Sequence, residues 1–159
     1  NQRVLDSMKK GVELEVIDRI VEECVRIGIG MHFYLITGFP TETPTEARES
    51  VDFVVNNQRI LNSPGFSCII SQFDLEKGTP LENNPSEWGI TDMHTPPDHD
   101  LSLGYSYKIS TGMDSEEAEV LYRELQEKIN EKVSTFPDNY SLSDGLLYLG
   151  HHQEELTTS

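Results

Sequence analysis

Cysteine and basic residues are both scarce in this chain. Its 159 residues include two cysteines, Cys24 and Cys68, too few for a disulfide scaffold. Lysine and arginine number 12 against 28 acidic residues, a formal net charge of −16. That balance opposes direct contact with nucleic-acid phosphates or an anionic lipid surface, because the electrostatic term that drives such binding has the wrong sign. No apolar run is long enough to cross a bilayer and no signal-peptide pattern is present, so we expect a cytoplasmic protein with no nucleic-acid or membrane partner. The length suffices for one core.

What is present centres on residues 31–46, MHFYLITGFPTETPTE. Residues 31–37 are apolar or β-branched at nearly every position, the pattern of a strand buried on both faces in a parallel sheet. Gly38 permits a sharp turn or a close approach, and Pro40 biases Phe39 away from helix, so the strand stops near Gly38. Thr43 then reads as an N-cap with Pro44 at the first helical position and Glu46 completing a capping box. Ala47, Val51, Val54 and Val55 form the stripe of a helix over 44–58. Upstream, Leu14, Ile17, Ile20, Val21, Cys24, Val25 and Ile27 recur at helical spacing, and Gly28 and Gly30 follow the last turn. A second apolar run, FSCIISQF at 66–73, makes the order α, β, α, β, which predicts right-handed βαβ units on a parallel sheet. Ligands in such sheets bind beyond the carboxyl ends of the strands, where Gly38, Phe39, Pro40, Gln72, Phe73 and Asp74 would lie.

These residues carry a resemblance. The succession NQRVLDSMKKG, a helix ending RIGI, HFYLITGFPTET, and a strand leading to FDLEKGTPLENNPSEWGI resembles the later half of the radical S-adenosylmethionine barrel, especially enzymes with a cobalamin-binding domain. The likeness covers residues 1–90 well and the rest loosely. It implies an α/β fold, a partial βα-barrel of parallel strands with covering helices over 1–81, followed by a helical extension over 82–159. In that family the strand with the pattern Ile-x-Gly-x-Pro-x-Glu-Thr lies against the adenine of S-adenosylmethionine. The matching residues are Ile36, Gly38, Pro40, Glu42 and Thr43, and the implied cofactor-side set is Tyr34, Ile36, Gly38, Phe39, Pro40, Glu42, Gln72 and Phe73.

One family element is missing. Members hold a 4Fe-4S cluster through a CxxxCxxC loop, and this chain has none. Cys24 falls on a helix stripe and Cys68 inside a strand, so both read as small core residues. The resemblance therefore implies the carboxyl-terminal part of an iron–sulfur enzyme, contributing the adenine-side wall and part of a substrate site. Its cluster loop, and any cobalamin, would belong to a missing amino-terminal half, and the chain alone would be inactive. A severed barrel would also expose a sheet edge open to self-association. The alternatives are another βα-barrel fragment, hydrolase or aldolase in type, with Asp74 or Glu76 in acid–base work, and a non-catalytic interaction module.

The remainder is less directive. Residues 74–100 are rich in proline without a clear period and read as a long loop. Within it His94 and His99, beside Asp92, Asp98 and Asp100, read as a solvated acidic loop more readily than as a metal site. Residues 101–109 alternate as a half-buried strand, which could cover the barrel or pair at an edge. Asp114 with Glu117 opens a helix over 115–134, with Ala118, Leu121, Tyr122, Leu125, Ile129 and Val133 as its stripe and Glu119–Arg123 and Glu124–Lys128 as exposed pairs. Leu146 to Leu149 are apolar enough to dock on the body, and His151 and His152 read as surface residues. His32, Tyr34 and Ile36 share one strand face, which we expect to point inward to the ligand. Arg3 and Lys10 are expected to be solvated, and Glu42 suits either a ribose hydroxyl or the positive end of the helix.

Overall fold

A computed structural model describes residues 1–96 and 103–133. His99 and everything after Val133, including Phe136, Leu146–Leu149, His151 and His152, lie outside the described residues. The fold is mixed α/β, built on a two-stranded parallel sheet and a two-stranded antiparallel one, with no closed barrel among the described residues.

The chain opens with α1 (Gln2–Ser7) and α2 (Leu14–Ile27), the latter closed by Gly28 in the left-handed conformation. Strand β1 (His32–Thr37) follows, then α3 (Pro44–Val55) behind the expected Thr43/Glu46 capping box. The helix expected to reach residue 58 stops at Val55, and Asn57 caps a separate turn, α4 (Gln58–Leu61), with its side-chain oxygen. Strand β2 (Ser67–Gln72) pairs parallel with β1 in the register Tyr34 to Ile69 and Ile36 to Ser71. Order, handover and parallel pairing thus match the sequence pattern.

Residues 74–96 depart from the expected loop. They contain α5 (Pro80–Asn83), a 3-10 turn at Pro85–Trp88 closed by left-handed Gly89, and strand β3 (Ile90–His94). The strand expected over 101–109 is found as β4 (Ser106–Ile109). It pairs antiparallel with β3, and not with the parallel sheet. The cause lies in packing: Ile90, Met93, Tyr105, Tyr107 and Ile109 join Phe39, Phe73, Leu75, Leu81 and Trp88 in a second core at the carboxyl end of the parallel strands.

The last helix, α6 (Ser115–Lys132), begins with the expected Asp114/Glu117 capping box. It is integral to the first core: Ala118, Leu121, Leu125, Ile129 and Val133 pack with Val51, Val54, Val55, Ile60, Cys68 and Ile70. The Glu119–Arg123 pair forms along the helix. The expected Glu124–Lys128 pair does not. Glu124 instead meets Arg48 at 2.8 Å and Lys128 meets Asp52 at 2.5 Å, so both charges bridge to α3.

Candidate functional site

Which face of the parallel sheet is covered follows from the side chains. Phe33, Leu35, Cys68 and Ile70 pack into the first core beneath α3 and α6. The opposite face carries His32, Tyr34 and Ile36 on β1, matched by Ser67, Ile69 and Ser71 on β2. Tyr34 is 62% exposed and Ile69 48% exposed, while Ile36 and Ser71 are partly buried. His32 Nδ1 lies 2.8 Å from Ser67 Oγ, and its ring centroid is 6.4 Å from that of Tyr34. Tyr34 and Ile69 are thus left exposed on this face, and apolar side chains left on a sheet face mark a surface that takes something.

The edge of β1 is also open. Ser67 and Phe73 donate to the carbonyls of Met31 and Thr37 at 2.9 and 2.8 Å, so the odd-numbered residues face β2. The backbone groups of His32, Tyr34 and Ile36 therefore point to the other edge, where no described strand pairs with them. Along that edge runs an apolar cleft of about 400 Å³, walled by Val4, Leu5, Met8, Leu14, Ile17 and Phe53, with Lys10 and Ser50 as polar members.

At the carboxyl end of β1 the chain makes a tight turn. The Glu42 N–H donates to Phe39 C=O at 2.8 Å, and Thr41 has a φ of 75°. With Pro40 in the second position, this is the place in a type II turn that requires positive φ and normally takes glycine. A β-branched residue there is strained. Arg3 holds it: its guanidinium donates to Thr41 C=O at 2.9 Å and forms a two-pronged pair with Glu46. That pairing pulls the Glu46 carboxyl down to about 2. Arg3 is thus not simply solvated, as its place in the sequence suggests; a cation at a helix start carries no local mark of a partner 43 residues away.

Glu42 does not reach outward. It is 1% exposed, its Oε2 accepts the Gly38 N–H at 2.7 Å, and its Oε1 has no hydrogen-bond partner. Burial raises its carboxyl to about 7, assisted by the charge of Glu46 and opposed by the backbone N–H groups of Gly38 and Phe39. Gly38 has φ 81°, and a Cβ there would sit 3.0 Å from Ala118 Cβ, so the close approach it permits is taken by α6. Phe39 and Pro40 are buried, Phe39 edge-on to Phe73 and Trp88 with centroids 5.2 and 5.7 Å apart. Gln72, on the covered side, places Nε2 3.5 Å from Ser115 C=O.

Of the eight expected cofactor-side residues, the structure thus gathers Gly38, Phe39, Pro40, Glu42, Gln72 and Phe73 into the turn and its support, and leaves Tyr34 exposed and Ile36 partly buried on the other sheet face. The unpredicted members are Ile69 and Ser71, found by register rather than by motif. Asp74 and Glu76 are exposed. His94 is exposed with Nδ1 3.5 Å from Asp92, and no group of three or more metal-ligating side chains occurs among the described residues. No helix among them is long and apolar enough to cross a membrane. Burial pushes the Cys68 thiol up to about 11, so it is protonated and inert at neutral pH. No protein-family model, curated protein or solved structure matches the chain.

Proposed function

We propose that this chain is the carboxyl-terminal wall of a radical S-adenosylmethionine barrel, and that its open sheet face lines the nucleoside side of the cofactor site. The observation that carries this reading is the exposure of Tyr34 and Ile69, on a parallel sheet whose β1 edge lacks a partner strand among the described residues. An adenine ring suits such a surface: flat and apolar on its faces, with edge donors and acceptors that backbone groups can read. Tyr34 and Ile36 would touch it. Gly38 to Glu42 would act from behind, by fixing the turn that ends the strand, with Phe39 and Phe73 as its packing support.

The residues here do not fit the iron–sulfur cluster. Two cysteines on separate elements, one with a raised thiol, fall short of the three thiolates a site-differentiated 4Fe-4S cluster takes. The cluster and any cobalamin belong, in this reading, to sequence outside the chain. When bound, S-adenosylmethionine and the cluster supply reductive cleavage to a carbon-centred radical; this chain supplies shape and exclusion of water.

The reading is tested in the gene. It predicts a CxxxCxxC loop encoded upstream of Asn1 and a four-iron electron paramagnetic resonance signal in the longer product after anaerobic reconstitution. An upstream region without three such cysteines contradicts it.

A further inference from the structure

Glu42 is the one buried acidic or basic residue among the described residues, and it sits where two segments meet. Its carbonyl accepts the Met113 N–H at 3.1 Å. A Cβ on Gly112 would lie 2.9 Å from Thr41 Cα and 3.0 Å from Glu42 O, so the strap from β4 to α6 rests directly on the turn. While its backbone carries the strap, its buried side chain folds back on the turn, with the Gly38 N–H as donor on one oxygen and no partner on the other.

We propose that Glu42 is a proton-operated latch: neutral, it keeps the strap at Gly112 and Met113 closed on the β1 to α3 turn, and ionised, it draws water into the joint and lets the strap lift. A carboxylate offers about four lone-pair sites, and this one finds too few donors to replace its hydration. The proton passes to solvent and water enters to supply the missing hydrogen bonds. The charged groups facing it are Glu46 from α3, which opposes ionisation, and Arg3 from α1, which favours it. The strap contributes Gly112 and Met113, which carry no charge. With the carboxyl raised to about 7, the latch operates near neutral pH, where an ordinary glutamate is already fully ionised. Its opening loosens the start of α6, which packs on Gly38, whatever ligand the sheet takes.

The test is amide hydrogen exchange on the full chain between pH 5 and 8, with protection corrected for base catalysis. A carboxyl moving from about 7 when closed to 4.5 when open predicts that Met113 protection falls on the order of fifty-fold over this range, and Leu125 in the core of α6 by much less. In Glu42→Gln, which retains an acceptor for Gly38 but cannot ionise, Met113 protection should stay level. A Glu42 carboxyl carbon titrating near 7 in the unaltered chain supports the latch even if the variant fails to fold. Titration near 4.5, pH-independent Met113 protection, an equal fall at Leu125, or the same fall in Glu42→Gln overturns it.

Discussion

Thr41 shows how a single backbone angle connects sequence to site. Pro40 fixes the second turn position and the third must take positive φ, which costs a non-glycine residue about 1–2 kcal/mol. Thr41→Gly should therefore raise stability by about 1 kcal/mol in chemical denaturation, part of the relief being offset by glycine's looser unfolded chain. Gly38 is the mirror case. Gly38→Ala would place a Cβ 3.0 Å from Ala118 at a φ of 81°, and we expect a loss of about 1–3 kcal/mol by the same measurement. The acid limb has its own residue. Glu46, held at about 2 by Arg3, is below its unfolded value, so its contribution is present above about pH 4.5 and disappears as pH falls towards 2. The difference between the native chain and Arg3→Ala should be about 1 kcal/mol at neutral pH, after allowing for a half-exposed guanidinium, and should shrink below pH 2 to what the hydrogen bond to Thr41 C=O contributes. A difference of the same size at both pH values would show that the ion pair with Glu46 contributes nothing.

At the scale of elements, helix α6 is held by its apolar stripe more than by its charges. Leu125 is fully buried, so Leu125→Ala should cost about 2–5 kcal/mol. Arg48→Ala and Lys128→Ala should each cost under about 1 kcal/mol and lose that effect in high salt. The same contrast explains what could be read in advance. Strand β1, α3 and α6 were legible because their signals are local: two capping boxes, a glycine in left-handed conformation and a repeating apolar stripe. Strand β4 was legible as an alternation, but β3 and its pairing were not, since Asp92 and His94 look like loop and β3 packs Ile90 and Met93 beside Tyr107 and Ile109 from elsewhere in the chain. Glu124 and Lys128 were at the spacing of a helical pair, yet each found a better partner on α3, information that lies in tertiary packing. For the site, the turn was legible and the side-chain directions were not. A strand apolar at successive positions gives no hint that Tyr34 faces out while Phe33 and Leu35 face in.

At the scale of the whole molecule the open sheet dominates. His32, Tyr34 and Ile36 present backbone donors and acceptors at an edge that no described strand pairs, and such edges recruit strands. The charge of −16 holds copies apart at low ionic strength. Sedimentation velocity should therefore record association that grows with both concentration and salt, and Tyr34→Lys should suppress it. A monomer at every salt concentration would mean that the edge is closed.

The most direct test of the account is a nuclear magnetic resonance titration of the chain with S-adenosylmethionine. We predict weak, millimolar binding with shifts confined to Tyr34, Ile36, Ile69, Ser71 and the amides that follow them into the turn. Shifts centred elsewhere, or none at millimolar nucleoside, would contradict the assignment of this face as the wall of a nucleoside site.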